Sequence, residues 1–432
     1  MEFEIPKITK CGLRNIGNTC FMNSTLQLLI HNKLLFLFFI KTNNKVEGEN
    51  KFNDKFYENL EFSAEGISMY EVFIREASGQ RLGDQIRKNN NLEKNAPVSI
   101  KSSDCDEFIE NSLSKAFSDE ILNSIVYRGN GTITPRQFKN ALGKKSRRFM
   151  GTNQQDAQET LTLILDEIIE ETGLESNPQI NNPPKLFNQY MKQMKEFKAE
   201  IMNVDTDEER DDILNRIKQF KLSNCDAVKQ YNYINYMVKI HKQKHNLVIE
   251  KMRNFMVNER ICKICNNSSF DFDCTNIINI SISGNTLLDC FDGFTEGELD
   301  DYKCKYCDKK SNAKTVTKIT SSSNVLYISL ERFIKNDHRM TMIEKNKQNI
   351  EIPHNINIEK YCDFIANKTS CDYRLRGIIN HYGDYNGGHY TAYCRDLIDN
   401  ESWYEFNDSS VNLIKDFEVD GKSAYMLLYE SI

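Results

Sequence analysis

Residues 12–29 read GLRNIGNTCFMNSTLQLL, and this stretch decides the fold. Its first half is punctuated by Gly12 and Gly17 and predicts a tight turn. Its second half places Met22, Leu26, Leu29 and the following Ile30 at helical spacing, with Asn18 or Thr19 as the N-cap. Cys20 therefore stands in the first turn of a buried helix. The helix dipole and the unpaired backbone N–H groups of such a turn favour the thiolate and lower the thiol pKa. Taken alone, a cysteine in this position is a packing residue; a distant base would make it a nucleophile.

That base is found in Asn386-Gly387-Gly388-His389-Tyr390-Thr391-Ala392-Tyr393. Gly387 and Gly388 remove side chains directly before an imidazole and open backbone space for a thin substrate. Cysteine hydrolases keep Cys and His far apart in sequence and adjacent in space, as Cys20 and His389 would be. A third group follows in Trp403-Tyr404-Glu405-Phe406-Asn407-Asp408-Ser409-Ser410. An amide or carboxylate there could accept the imidazole N–H and hold its tautomer. Neighbours on a strand point to opposite faces, so Asn407 and Asp408 are both candidates.

Two CxxC units, Cys262-Lys263-Ile264-Cys265 and Cys304-Lys305-Tyr306-Cys307, are separated by 38 residues. Four thiolates on two tight knuckles satisfy tetrahedral Zn²⁺ with no open position, which makes the expected site structural, a zinc ribbon. Metal binding would contribute directly to the folding of that subdomain. Cys274 and Cys290 lie between the pairs without knuckle spacing and read as core or incidental thiols.

Further helices are predicted after Thr134-Pro135 and over Gln154–Glu170, where Ala157, Leu161, Ile164, Leu165 and Ile168 form one stripe. Asp156 and Glu159 then lie one turn apart, placed to hold a cation. The segment 41–126 has a weak signal and reads as an insertion, helical in part. The charged segment 176–250 reads as a helical hairpin, with Thr206 and Glu209 as a capping box. Beyond Phe255 the rhythm changes to β-branched strands, at Ile277–Ile282, Thr315–Ile319 and Val325–Leu330. Helices first and an antiparallel sheet last make an α+β fold.

The 432 residues exceed what one core usually organises, so two or three domains or one enlarged catalytic fold are expected. With 56 basic and 62 acidic side chains the net charge is -6, which gives no reason to expect nucleic acid or an anionic membrane as partner. The longest apolar run, Leu34–Ile40, is far short of the roughly 20 residues that span a bilayer. The N-terminus lacks a signal peptide pattern, and the 13 cysteines are an odd number. An intracellular chain with reduced thiols, cytoplasmic and/or nuclear, is the expectation.

The chain resembles the ubiquitin-specific proteases, papain-like deubiquitinating cysteine proteases. GLRNIGNTCFMNSTLQLL (12–29) is similar to the cysteine box of that family and GTNQQDAQETLTLILDEI (151–168) to its glutamine-rich box. CKIC and CKYC are similar to its zinc fingers, and LYISLERF (326–333) to its strand ending in Arg-Phe. YRLRGIINHYGDYNGGHYTAYCRD (373–396) with WYEFNDSSV (403–411) resembles its histidine box. The resemblance implies a thumb (about 11–175, interrupted by 41–126), a helical insertion (176–250), zinc-ribbon fingers (255–324) and a palm (325–432). It implies Cys20 as nucleophile, His389 as general base, Asn407 as third member and Asp408 as a supporting acid. Asn15 would stabilise the oxyanion, and Asp156 and Glu159 would hold arginines of the ubiquitin tail. The implied reaction cleaves the isopeptide or peptide bond after the terminal Gly-Gly of ubiquitin, with ubiquitinated proteins as substrates and Zn²⁺ as structural cofactor. A ubiquitin-like modifier as substrate and an inactive ubiquitin-binding scaffold are the alternatives.

Overall fold

The computed structural model describes residues 9–40, 69–91, 93, 109–110, 112–127, 131–175, 180, 183–242, 244, 246, 251–336, 339–365, 370–385 and 387–432. The first element is a two-residue strand β1 (Gly12–Leu13), which pairs in parallel with β2 (Thr132–Ile133). Between them lie helices α1 (Cys20–Ile30), α2 (Lys33–Phe39) and α3 (Met69–Asn89), then short helical turns Leu113–Ala116, Phe117–Leu122 and Asn123–Tyr127. Helix is thus found within 41–126 where the chain is described; 41–68 and 94–108 lie outside the described residues.

α4 (Arg136–Lys145) and α5 (Ala157–Thr172) complete the helical layer. The sequence pattern placed the start of α5 at Gln154. It begins three residues later, because Asp156 is the N-cap, its side chain accepting from the Glu159 N–H at 3.0 Å.

α1 is the axis of this layer. All its residues are buried, including Asn23, Ser24, Thr25 and Gln27, so it is apolar on no single face. Its polar side chains survive burial by bonding to backbone: Gln27 Nε2 donates to Cys11 O at 2.9 Å, and Thr25 Oγ1 to Phe21 O at 2.8 Å. Around it pack Phe36, Phe38, Phe117, Phe138, Leu161, Ile164 and Ile168.

The segment read as a helical hairpin is a bundle of three, α6 (Lys185–Met202), α7 (Asp207–Ser223) and α8 (Cys225–His241). The third helix was hidden by its mixed surface. α8 is covered on one side by Tyr190, Met194 and Phe220 and on the other by Phe255 and Phe272 of the next sheet, so its apolar residues occupy no single stripe.

That next sheet consists of β3 (Asn254–Cys262), β4 (Ser268–Thr275), β6 (Glu296–Lys303) and β7 (Lys310–Ser321), in the order β4-β3-β7-β6 and antiparallel throughout. β5 (Ile277–Ser281) and α9 (Leu287–Thr295) interrupt it; β5 joins the second, larger sheet.

The larger sheet runs in the order β15-β14-β13-β12-β16-β8-β5, built from β8 (Val325–Glu331), β12 (Asp372–Asp384), β13 (Gly387–Arg395), β14 (Trp403–Asn407), β15 (Ser410–Ile414), β16 (Ala424–Ser431) and β5. A hairpin, β9 (Phe333–Asn336) and β10 (Arg339–Lys345), and a short β11 (Asn355–Asn357) precede β12. Arg332, fully buried, ties this sheet to its loops by donating to the carbonyls of Ala424, Asn346, Gln348 and Gly421. Helices against one sheet, with a second sheet beside it, is the expected α+β architecture, and α1 packs along β13; the larger sheet is mixed rather than antiparallel throughout, because β5 runs parallel to β8. Among the described residues no helix is long and apolar enough to cross a membrane.

Candidate active site

Three lengths of chain converge on Cys20: its own turn, the start of β13, and the β14–β15 hairpin. Asn407 pairs with Ser410, so the hairpin turn is Asp408–Ser409, with Asp408 in the left-handed region at φ 48°. This turn lies directly on β1. Leu13 N–H donates to Asp408 O at 2.8 Å, and a Cβ on Gly12 would meet Ser409 O at 2.2 Å, so position 12 accepts only glycine. The first glycine of the opening stretch is therefore a docking contact for the third converging segment.

The hairpin separates the two candidates left open by strand alternation. Asn407 Oδ1 lies 2.8 Å from His389 Nε2. Asp408 turns the other way: its Oδ2 accepts from Asn15 Nδ2 at 3.0 Å and its Oδ1 from Asn23 Nδ2 at 2.7 Å. With Nε2 committed to Asn407, the other ring nitrogen of His389 is left for the thiol.

Cys20 is 3% exposed and occupies the first position of α1. Burial pushes its thiol pKa up, the Tyr390 backbone N–H opposes this, and the Asp408 carboxylate adds to the rise. The expectation of a lowered pKa from the helix terminus is therefore overturned: desolvation outweighs the N–H groups of Phe21 and Cys20 itself. Thr19, at the N-cap position, makes no side-chain cap; its hydroxyl accepts from Ile16 N–H at 3.0 Å.

Asn15 is fixed on both ends of its amide. Its Oδ1 accepts from Gly17 N–H at 3.2 Å and Thr19 N–H at 3.0 Å, and its Nδ2 faces Asp408. One Nδ2 hydrogen serves that carboxylate and one remains to donate.

The acidic pair is engaged within the protein. Beyond capping α5, Asp156 accepts from Tyr425 OH at 2.6 Å through Oδ2, and Tyr390 OH lies 3.5 Å from the same oxygen. Glu159 is ion-paired with Arg148. Both carboxylates already hold internal partners, although Glu159 and Arg148 are half exposed.

Gly387 and Gly388, read from the sequence as opening backbone space for a thin substrate, have different surroundings. At Gly388 packing within the sheet requires glycine, since a Cβ would meet both His381 Nε2 and Tyr382 O at 2.3 Å. At Gly387 a Cβ would make only ordinary contact, 3.7 Å from Gln154 Oε1.

Sequence reasoning missed Gln154, Asn23, Arg148 and His381. Gln154 and Asn23 lie inside quoted boxes, but nothing in local spacing shows that Asn23 reaches a turn 385 residues away. His381 is buried among Phe333, Tyr390 and Tyr425, and burial lowers its pKa to about 4.

At the far end of the small sheet, Cys262, Cys265, Cys304 and Cys307 bring their sulfurs within 4.8 Å of one another. Cys265 and Cys304 Sγ are 3.6 Å apart and Cys262 and Cys307 Sγ 3.9 Å, against roughly 3.8 Å between thiolates on a tetrahedral zinc. Ile264 N–H and Tyr306 N–H each lie 3.4 Å from the first sulfur of their knuckle. Asn266 and Asp308, one residue past each pair, take positive φ of 54° and 57°. The donor set fits a metal ion. Cys290 is a core residue beside Phe291, and Cys274, half covered by α8, is pushed up to about 11 by burial.

A family model described as ubiquitin carboxyl-terminal hydrolase matches residues 11–429. The chain is 25% identical over 442 residues to a probable ubiquitin carboxyl-terminal hydrolase of Acanthamoeba polyphaga mimivirus, covering 97% of this chain and 89% of that protein. It is 24% identical over 429 residues to ubiquitin carboxyl-terminal hydrolase 2 of Bos taurus, where it covers 97% of this chain but spans 54% of the relative. Among solved structures, the SAGA Ubp8/Sgf11/Sus1/Sgf73 module bound to ubiquitin aldehyde matches with a TM-score of 0.57 at 20% identity, over 100% of this chain and 72% of that chain.

Proposed function

The chain belongs to the ubiquitin carboxyl-terminal hydrolase family, and from that premise we propose that it is a cysteine-type deubiquitinase in which Cys20, His389 and Asn407 cleave the bond after the terminal Gly-Gly of ubiquitin. The observation that carries this reading is the contact of Asn407 Oδ1 with His389 Nε2, on a strand whose next residue, Tyr390, directs its N–H at the Cys20 thiol.

His389 takes the Cys20 proton, which a buried thiol does not release readily on its own. The thiolate attacks the glycine carbonyl, and an acyl-enzyme forms as the amine leaves with the proton held by the imidazole. Water, deprotonated by His389, then releases the tail. The remaining Nδ2 hydrogen of Asn15, held in place by Asp408, and the Cys20 N–H stabilise the oxyanion, a role worth roughly 3–4 kcal/mol in comparable sites. Asp156 and Glu159 line the approach of the arginine-bearing tail, Glu159 exchanging Arg148 for a substrate guanidinium.

The four cysteines of the small sheet hold structural Zn²⁺, which would pin two hairpins at the tip of the fingers. The partition into thumb (about 11–175, interrupted by 41–126), helical insertion (176–250), fingers (255–324) and palm (325–432) is supported by the helical layer around α1 and by the small sheet, with β5 crossing from the fingers range into the larger sheet.

A ubiquitin probe bearing a C-terminal electrophile tests the reading. Wild-type protein should form one covalent adduct and Cys20→Ala none. Reversible binding without an adduct on the wild type would leave a scaffold, and labelling only by a ubiquitin-like probe would change the substrate.

A further inference from the structure

The Gln154 side chain bridges two walls of the active-site cleft. Its Nε2 donates to Gly388 O at 2.9 Å, and its Oε1 accepts from Gly388 N–H at 3.0 Å. One side-chain amide thus holds both polar groups of the residue before His389.

Those groups lie on an open sheet edge. On one side β13 pairs with β12, Gly388 opposite Gly383. On the other side β14 pairs with β13 only from Ala392 to Arg395. Backbone groups alternate along a strand, so Gly388 and Tyr390 direct theirs to the same, unpaired side. At Tyr390 that side faces the Cys20 thiol. A chain whose terminal carbonyl sits on Cys20 and that passes Asp156 and the start of α5 must run along this edge, with one of its peptide units opposite Gly388. Extended peptides bind exposed sheet edges through such main-chain pairs.

We propose that Gln154 is a displaceable stand-in for the substrate main chain: its amide occupies the peptide-pairing position at Gly388 in the free enzyme, and the entering tail takes that position over. A carboxamide presents one C=O and one N–H in the geometry of a peptide unit, which is why glutamine fits this edge. The bridge crosses the cleft from the segment preceding α5 to β13, so the tail cannot pair there while it is closed. Gln154 is itself exposed and can swing into solvent when released. The absence of a side chain at Gly388, enforced by His381 and Tyr382, keeps the edge flat for either occupant.

This inference rests on the deubiquitinase reading, and the test separates the two. Steady-state hydrolysis of a ubiquitin C-terminal fluorogenic amide is measured for the wild type and Gln154→Ala. Removing a competitor that makes two hydrogen bonds should lower KM about threefold to tenfold and raise kcat/KM accordingly. In protein labelled with ¹⁵N-glycine, the Gly388 amide should exchange faster in free Gln154→Ala than in free wild type. On the Cys20→Ala background of the same variant, saturating ubiquitin should restore its protection. An unchanged or raised KM in Gln154→Ala, or no restored protection, overturns the proposal while leaving the enzyme reading intact. A wild type that turns over no ubiquitin substrate overturns the reading instead.

Discussion

Asn407 Oδ1 lies 2.8 Å from His389 Nε2, while the next residue, Asp408, reaches away from the imidazole to Asn15 and Asn23. Two adjacent polar residues thus serve different parts of one site. Asn407→Ala should lower kcat about 100-fold by freeing the imidazole tautomer, with KM little changed. Asp408→Ala should also lower kcat, because Asn15 loses its anchor, and should in addition lower thermal stability through the buried Asn23. Equal kinetics for wild type and Asn407→Ala would reassign the third position.

The Arg148–Glu159 pair bears on substrate affinity rather than on chemistry. Exposed ion pairs contribute about 0.2–1 kcal/mol, so Arg148→Ala should free Glu159 and lower KM for ubiquitin substrates by about twofold to fivefold. Glu159→Ala should raise KM. Replacing the tail arginines of the substrate should abolish the benefit of Arg148→Ala; a benefit that persists would show that Glu159 does not receive them.

Metal analysis of purified protein should find about one zinc per chain. Cys304→Ser should lose the metal and unfold the small sheet at lower temperature, since zinc binding and folding of such a unit are coupled. A variant that keeps both its zinc and its melting temperature would refute the ribbon.

Acid should destabilise the fold through His31 and His381. Both are buried, and burial lowers each pKa to about 4. The unfolded chain, with an ordinary histidine value near 6.5, takes up the proton first. Stability is therefore fully present above about pH 6.5 and is lost as the pH falls towards 4, by about 1.4 kcal/mol per pH unit per histidine. Chemical denaturation between pH 7 and 4.5 should show this slope, and His31→Gln should reduce it by about half. A slope unaltered in that variant would assign the loss to other groups.

Much of the site was legible in the sequence because each part sits in a short, locally determined motif. A glycine-bearing turn before an apolar helix fixes Cys20 at a helix start, β-branched runs fix the strands, and two CxxC knuckles fix their own thiol geometry. The helical segment 176–250 and the start of α5 were read less well. Asp156 ends a stretch of non-helical backbone that periodicity counts as helix, and α8 is covered on two sides and loses its stripe.

Residue type and local spacing determined which groups could react: a thiol, an imidazole, an amide beside an acid, four further thiols. They could not decide between Asn407 and Asp408, because the choice depends on a two-residue turn docking against Gly12, almost 400 positions away in the chain. Nor could they give the sign of the Cys20 shift. The helix terminus that favours the thiolate is local, whereas the burial that opposes it is made by β13 and the packed helices, and desolvation outweighs the N–H groups. The same holds for Gln154, whose partner is a backbone edge that exists only when β13 lies beside the segment preceding α5.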